Sequence, residues 1–202
     1  MRTVGEIADL VFPLAGHELR ADYALPLWLS LRSLLPWLEH EDALGILPIK
    51  GASLSAGRLI LNQRAQLTLR LPQSRLASAA ALAGATLDID AGLRLGAPSQ
   101  RALRPLPAQY SPMVVLDCAS ETEFLARCER RLSALAIRAN IVCGKVQVRQ
   151  GETALMHGYS LMLHGLSAEH ALLLQQAGMG EGRRLGCGIF VPHRTAHAVG
   201  TA

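Results

Sequence analysis

Residues 178–192 read GMGEGRRLGCGIFVP, with Gly178, Gly180, Gly182, Gly186 and Gly188 falling within eleven positions around the adjacent Arg183 and Arg184. Glycine adopts positive φ and lets a backbone approach a ligand closely, so a loop of this kind can turn its amides toward an anion. The paired arginines add charge and bidentate phosphate contacts. An ordinary turn between a helix and a strand needs neither five glycines nor paired arginines. A Walker A loop is excluded, because no Gly-Lys-Ser/Thr follows. A dinucleotide fingerprint fits poorly, because that loop lies between a strand and a following helix. Here the order is inverted: helix, glycine loop, then an apolar strand over Leu185–Val191.

Working outward, the preceding helix opens at Ser167, whose hydroxyl caps it, and stops at Gly178. Upstream of it, Lys145–Gln150 and Ala154–Leu163 read as two strands joined through Gly151. Ser120 caps a helix running to about Ile137, with Glu123 in the capping-box position, and Met113–Cys118 is a buried-type strand. Residues after Pro192 read as a loose tail. The first half follows the same order. Ile7–Leu14 is a strand, and Asp22 is placed to cap a helix through Leu38, which Pro36 kinks or ends. Gly45–Gly51 enters a strand, and Arg58–Asn62 with Gln66–Leu71 form a hairpin with clear alternation at Leu67, Leu69 and Leu71. Gln73–Leu82 is an Ala-rich helix, and Thr86–Leu95 alternates as a last strand. Four prolines between Ala97 and Pro112 suit an extended linker. The class predicted is α+β, with two tandem ferredoxin-like (RRM-like, βαββαβ) domains at 1–97 and 112–202 joined by a linker at 98–111.

The bulk numbers agree. A chain of 202 residues, half of them apolar, can bury a real core. Its 20 cations against 16 acids permit polyanion binding, and all but Lys50 and Lys145 are arginines. A GC-rich genome gives the same bias. The four cysteines have no zinc spacing. The N-terminus lacks the pattern of a secretory signal, and no apolar run nears the roughly 18 residues of a membrane span. A cytoplasmic protein is expected.

The Gly-rich segment resembles the loop that defines the repeat-processing endoribonucleases of CRISPR systems, within the RAMP superfamily. In that family the loop follows the last helix of the second ferredoxin-like half and opens its last strand, the layout that Ser167–Gly188 fits. The segments Leu34–Gly51, Leu69–Leu95 and Leu166–Pro192 further resemble a compact branch labelled the MYXAN subtype. The likeness implies metal-independent cleavage of CRISPR repeat RNA with no cofactor. The ribose 2′-OH attacks the adjacent phosphorus, leaving a 2′,3′-cyclic phosphate. It also implies guide RNA and other effector-complex subunits as partners. An inactive member that only holds the repeat hairpin is the alternative.

Such chemistry needs a base for the 2′-OH, an acid for the leaving oxygen and positive charge at the phosphorane. The resemblance implies a Tyr/His/Lys constellation, which Tyr23, His40 and Lys50 match in order and approximate spacing. His40 is then the acid or base, Lys50 the phosphorane's partner, and Tyr23 orients the ribose or phosphate. Glu39 competes for the aligned position, and His17 and Arg20 are rivals for the role. The glycines with Arg183 and Arg184 are the expected RNA-binding loop. Arg127, Arg130, Arg131 and Arg138 form a basic stripe on the second-half helix, extendable by Lys145 and Arg149. With Glu121, Glu123 and Glu129 on the same helix, a solvated face is the competing reading. His157 and His164 read as sheet-face residues, and His193 and His197 lie in the tail, where a solvated and an RNA-contacting role are both open.

Overall fold

A computed structural model describes residues 6–53, 57–90 and 92–194. The chain divides into two compact units: 1–103 with 149–156 and 182–186, and 104–148 with 157–181 and 187–202. His197 lies outside the described residues. Among the described residues no helix is long and apolar enough to cross a membrane.

The first unit runs β1 (Ile7–Ala15), β2 (Glu18–Arg20), α1 (Ala24–Leu34), β3 (Gly45–Leu47), β4 (Ala52–Ser53), β5 (Arg58–Ile60) and β6 (Gln66–Pro72). It continues with α2 (Gln73–Ala79), β7 (Thr86–Leu87), β8 (Leu93–Leu95) and β9 (Ser99–Arg101). Its main sheet has the order β3-β6-β1-β8, antiparallel at each of these pairings. With α1 after the first strand and α2 after the third, this is the ferredoxin-like arrangement. Alternation in β6 decides the two faces. Leu67, Leu69 and Leu71 join the apolar core with Ala8, Leu10 and Phe12 of β1. Each such leucine, fully buried, contributes about 1.5–3 kcal/mol. The opposite face carries Asp9 and Arg70, which are partners in register and joined at 2.8 and 3.2 Å.

Several sequence expectations need correction here. Asp22 does not cap α1. The N-cap residue is Tyr23, which makes no side-chain cap bond, while Asp22 holds Arg20 at 2.6 and 3.1 Å. The helix ends at Leu34, as Pro36 requires, and a 3-10 turn takes over at Pro36–His40. The expected hairpin is not formed. β5 pairs with β2 and β4 in a separate three-stranded sheet, whereas β6 pairs with β1 and β3. Thr86–Leu95 is two short strands paired with each other, because the chain turns back through Asp90 and Gly92, both at positive φ. Past Gly96 the chain is not a bare linker: β9 pairs with β1 through Asp9↔Arg101, continuing the edge that β8 begins.

The second unit contains β10 (Gln109–Val114), α3 (Glu121–Ala134), most of β11 (Asn140–Gln150) and β12 (Leu155–His164), α4 (Ala168–Ala177) and β13 (Val191–Pro192). Its sheet order β11-β12-β10-β13 repeats the ferredoxin-like pattern. Ser120 and Ser167 cap α3 and α4 as expected, accepting from Glu123 and His170 amides. The core gathers Phe124, Cys128 and Leu132 of α3 against Leu161 and Leu163 of β12, with Phe124 and Tyr159 rings 4.7 Å apart. The last strand is much shorter than Leu185–Val191. Arg183–Leu185 is a 3-10 turn bounded by left-handed Gly182 and Gly186, Gly188 is again at positive φ, and pairing with β10 begins only at Val191.

Candidate active site

In the first unit, His40 is exposed and closes the 3-10 turn Pro36–His40. The peptide just before it is gripped from outside its own segment. Arg184 Nη2 donates to the Glu39 carbonyl at 2.7 Å, and its guanidinium lies 5.2 Å over the Trp28 ring. Arg183 Nη2 donates to the Ala43 carbonyl at 3.2 Å. Burial, with the Arg70 charge nearby, pulls the Arg183 guanidinium down to about 10. Gly186 has φ +79°, and a Cβ there would come within 3.3 Å of both the Ile46 carbonyl and the Pro48 ring. The 183–186 turn therefore follows the connection from Glu39 to Pro48, the segment that links His40 to Lys50.

Lys50 is exposed between two anchored neighbours. The Tyr23 hydroxyl accepts from the Ile49 amide at 2.7 Å. On the other side, a Cβ on Gly51 would lie 2.5 Å from the Ile60 carbonyl. Tyr23 is itself buried in the core, and that burial raises its phenol above the ordinary tyrosine value, against opposing contributions from the Ile49 backbone and Arg149. The rivals stand apart from these bonds. His17 is exposed, and its carbonyl accepts from Leu61 at 2.8 Å; Arg20 is tied to Asp22. Glu39 spends its carboxylate on Arg32 at 3.3 Å.

Trp28, Arg32 and Glu152, which the sequence did not single out, complete this region together with Arg149, which was expected to extend the basic stripe. Trp28, fully buried, donates its indole N–H to Glu152 Oε1 at 2.9 Å. Arg32, one turn along α1, donates to Glu152 Oε2 at 3.2 Å as well as to Glu39. Arg149 donates from Nη1 to the Leu185 carbonyl. The Trp28/Arg32 spacing of four was visible, but nothing local ties position 152 to position 28.

In the second unit, Arg127, Arg130 and Arg131 line one cleft of about 670 Å³ with Gly178, Gly180 and Glu181. Helical spacing brings the three arginines to one side of α3. Arg138 is exposed beyond the helix, after Ala136 at φ +54°, and does not line the cleft. Arg127 is held to Glu123 at 2.6 Å, and Glu123 also accepts the Ala119 amide, contacts that lower its carboxyl below the usual range. Lys145 is exposed on β11, and His157 and His164 lie on β12 as expected. The His193 ring lies 5.6 Å from that of Tyr110, tilted 52° to it.

The glycine loop differs from its simplest reading. All five glycines have positive φ, but Gly178, Met179, Glu181, Leu185, Gly186 and Gly188 spend their amides on protein carbonyls. Close packing is the main demand on the glycines. A Cβ would come within 2.1 Å of the Val115 carbonyl at Gly180 and of the Met179 carbonyl at Gly188.

Two ferredoxin-like halves, one with an exposed histidine beside an arginine turn and one with an arginine cleft against a glycine loop, define the class: the tandem ferredoxin-like proteins. The Cas6 CRISPR family model matches residues 8–195. A CRISPR-associated endonuclease Cas6 of Myxococcus xanthus strain DK1622 is 37% identical over 187 residues, 91% of this chain and 80% of the relative. The chain belongs to the Cas6 family. Among solved structures, a CRISPR-associated Cas6 protein matches with a TM-score of 0.65 at 7% identity, covering 94% of this chain and all of that one. A Cas6-related protein from Pyrococcus furiosus matches at 0.60 and 12%, covering 91% and 97%. A Cas6 product complex matches at 0.56 and 17%, covering 93% and 99%. At these identities the likeness is one of fold.

Proposed function

We propose that this chain is an endoribonuclease that cuts CRISPR repeat precursor RNA into guide RNAs, without a metal, in the cytoplasm. The ribose 2′-OH attacks the adjacent phosphorus, the 5′-oxygen leaves, and the product carries a 2′,3′-cyclic phosphate. His40 serves as acid or base and Lys50 offsets charge at the phosphorane. Tyr23 acts one step back, holding the backbone beside Lys50. Arg127, Arg130 and Arg131 bind RNA phosphates, with Gly178 and Gly180 shaping the cleft and Arg138 adding charge beyond it. Gly182, Gly186 and Gly188 shape the loop, in which Arg183 and Arg184 organise the segment from His40 to Lys50. The product stays bound and enters an effector complex with other CRISPR subunits.

The observation that supports this reading most is the exposed His40 whose preceding peptide is clamped by Arg184 at 2.7 Å. A free proton-transfer group on a held backbone is what general acid–base chemistry requires. The test is cleavage of labelled repeat RNA in EDTA by wild type and His40→Ala, with mass analysis of the new 3′ end. Wild type should cut once and leave the cyclic phosphate, and the variant should bind equally but cut about 10²–10⁴-fold more slowly. Equal cutting by both removes His40 from the chemistry and brings His17 and Arg20 forward. Tight binding without cutting by either makes the chain a guide-holding module.

A further inference from the structure

We infer that Glu152, at the tip of the turn between β11 and β12, is a positioning residue for His40. The inference rests on the reading that His40 performs the proton transfer. Glu152 is an acid in a protein proposed to bind a polyanion, so contact with phosphate does not account for it. Its two oxygens serve two donors that converge on one place. Oε1 accepts the Trp28 indole at 2.9 Å, and Oε2 accepts Arg32 at 3.2 Å. Arg32 passes on to the Glu39 side chain at 3.3 Å, and the Trp28 ring lies under the Arg184 guanidinium that grips the Glu39 carbonyl. Glu39 is thus held at both its side chain and its carbonyl. The peptide bond is planar, so a fixed Glu39 carbonyl fixes the plane of the His40 N–H and leaves His40 fewer ways to aim its ring. Trp28 is the base of this arrangement. It is fully buried, and its indole N–H has its partner in Glu152. Removing Glu152 strands that N–H and releases Arg32, and both faults lead to the same peptide.

The experiment compares wild type, Glu152→Ala and Glu152→Gln by single-turnover cleavage at saturating protein, RNA affinity, and the His40 imidazole NMR signal, assigned through its loss in His40→Gln. Glu152→Ala should slow saturating cleavage on the order of 10–100-fold, the scale at which a misplaced catalytic group acts. RNA affinity should hold or rise, since a negative charge is lost, and the His40 signal should move. Glu152→Gln keeps an oxygen for the indole and should recover most of the rate. A wild-type rate with an unmoved signal in Glu152→Ala overturns the inference, as does a rate loss that matches a loss of affinity. Should Glu152→Ala not fold, Arg32→Met, which removes both ion pairs and spares the Trp28–Glu152 bond, is held to the same two outcomes. If wild type itself does not cut RNA, the endonuclease reading falls, and the imidazole signal alone decides the inference.

Discussion

The Tyr23 hydroxyl accepts the Ile49 amide at 2.7 Å, so this aromatic side chain is bonded to the backbone one residue before Lys50. The ring is buried in the core of the first unit, and the hydroxyl is its only polar atom. This bond makes the residue a support for Lys50, and it separates two predictions about its removal.

Tyr23→Phe leaves the buried Ile49 amide without its acceptor and should cost about 1–3 kcal/mol in urea unfolding. Any loss of cleavage should appear with unchanged RNA affinity. Burial raises the Tyr23 phenol, so above about pH 10 the unfolded chain gives up this proton while the folded chain keeps it. The stabilisation is therefore present below the ordinary tyrosine value and lost as pH rises past it. Urea midpoints followed across that range should fall more steeply for wild type than for Tyr23→Phe.

Asp9 and Arg70 are 4% and 1% exposed, and Arg101 approaches Asp9 from the other neighbouring strand at 3.6 Å. Asp9→Ala would leave the buried guanidinium without the carboxylate it faces. Losing one partner of such a pair costs about 3–5 kcal/mol. Chemical denaturation of the variant reads this directly, and a change below about 1 kcal/mol, the scale of a surface pair, would refute the burial argument.

Gly180→Ala and Gly84→Ala form a matched pair, since both residues have φ +77°. At Gly84 a Cβ meets nothing within 4 Å, so only the left-handed conformation costs, about 1–2 kcal/mol. At Gly180 the Cβ would also lie 2.1 Å from the Val115 carbonyl, in the wall of the arginine cleft. Thermal unfolding should rank Gly180→Ala well below Gly84→Ala, and only the former should also weaken RNA binding.

Alanine at Arg127, Arg130 or Arg131 should weaken RNA binding and lower the salt dependence by about one unit of log–log slope for each lost phosphate contact. Arg138→Ala, outside the cleft lining, should change the slope less. Filter binding across a salt series measures both. Equal slopes for all four variants would return the stripe to a solvated face.

Burial pushes the Cys128 thiol up to about 12, and Cys187 is also buried. Native protein near pH 8 should react with a thiol-specific disulfide reagent at Cys118 and Cys143 before either buried cysteine, because the thiolate is the reacting form. Peptide mapping after partial labelling identifies the order. Early labelling of Cys128 would contradict the packing of α3.

Much of the fold was legible because its signals are local. Alternation at Leu67, Leu69 and Leu71 marks a strand whatever lies beside it. Ser120 and Ser167 mark helix starts through a bond to an amide three residues on, and Pro36 ends a helix by its own covalent structure. These features are enough for β-α-β-β-α-β twice over. Pairing was less legible. The Arg58–Ile60 strand was assigned to its neighbour in sequence but pairs with Glu18–Arg20 and Ala52–Ser53, because register is chosen by burial across the sheet.

The candidate site divides along the same line. Residue types and order along the chain determined that residues 178–188 form a glycine loop with two arginines, and a family resemblance carried by that loop implied Tyr23, His40 and Lys50 as the candidates for chemistry. Only the tertiary structure decided what those residues do to one another. It turns Arg183 and Arg184 onto the carbonyls of Ala43 and Glu39, spends the Tyr23 hydroxyl on Ile49, and brings Glu152 to Trp28 across 124 residues of chain. The reason is physical. A cap, an alternation or a proline acts over a few residues of backbone, whereas a guanidinium finds its acceptor only after the core has closed and fixed which carbonyls stand within 3 Å or so of it.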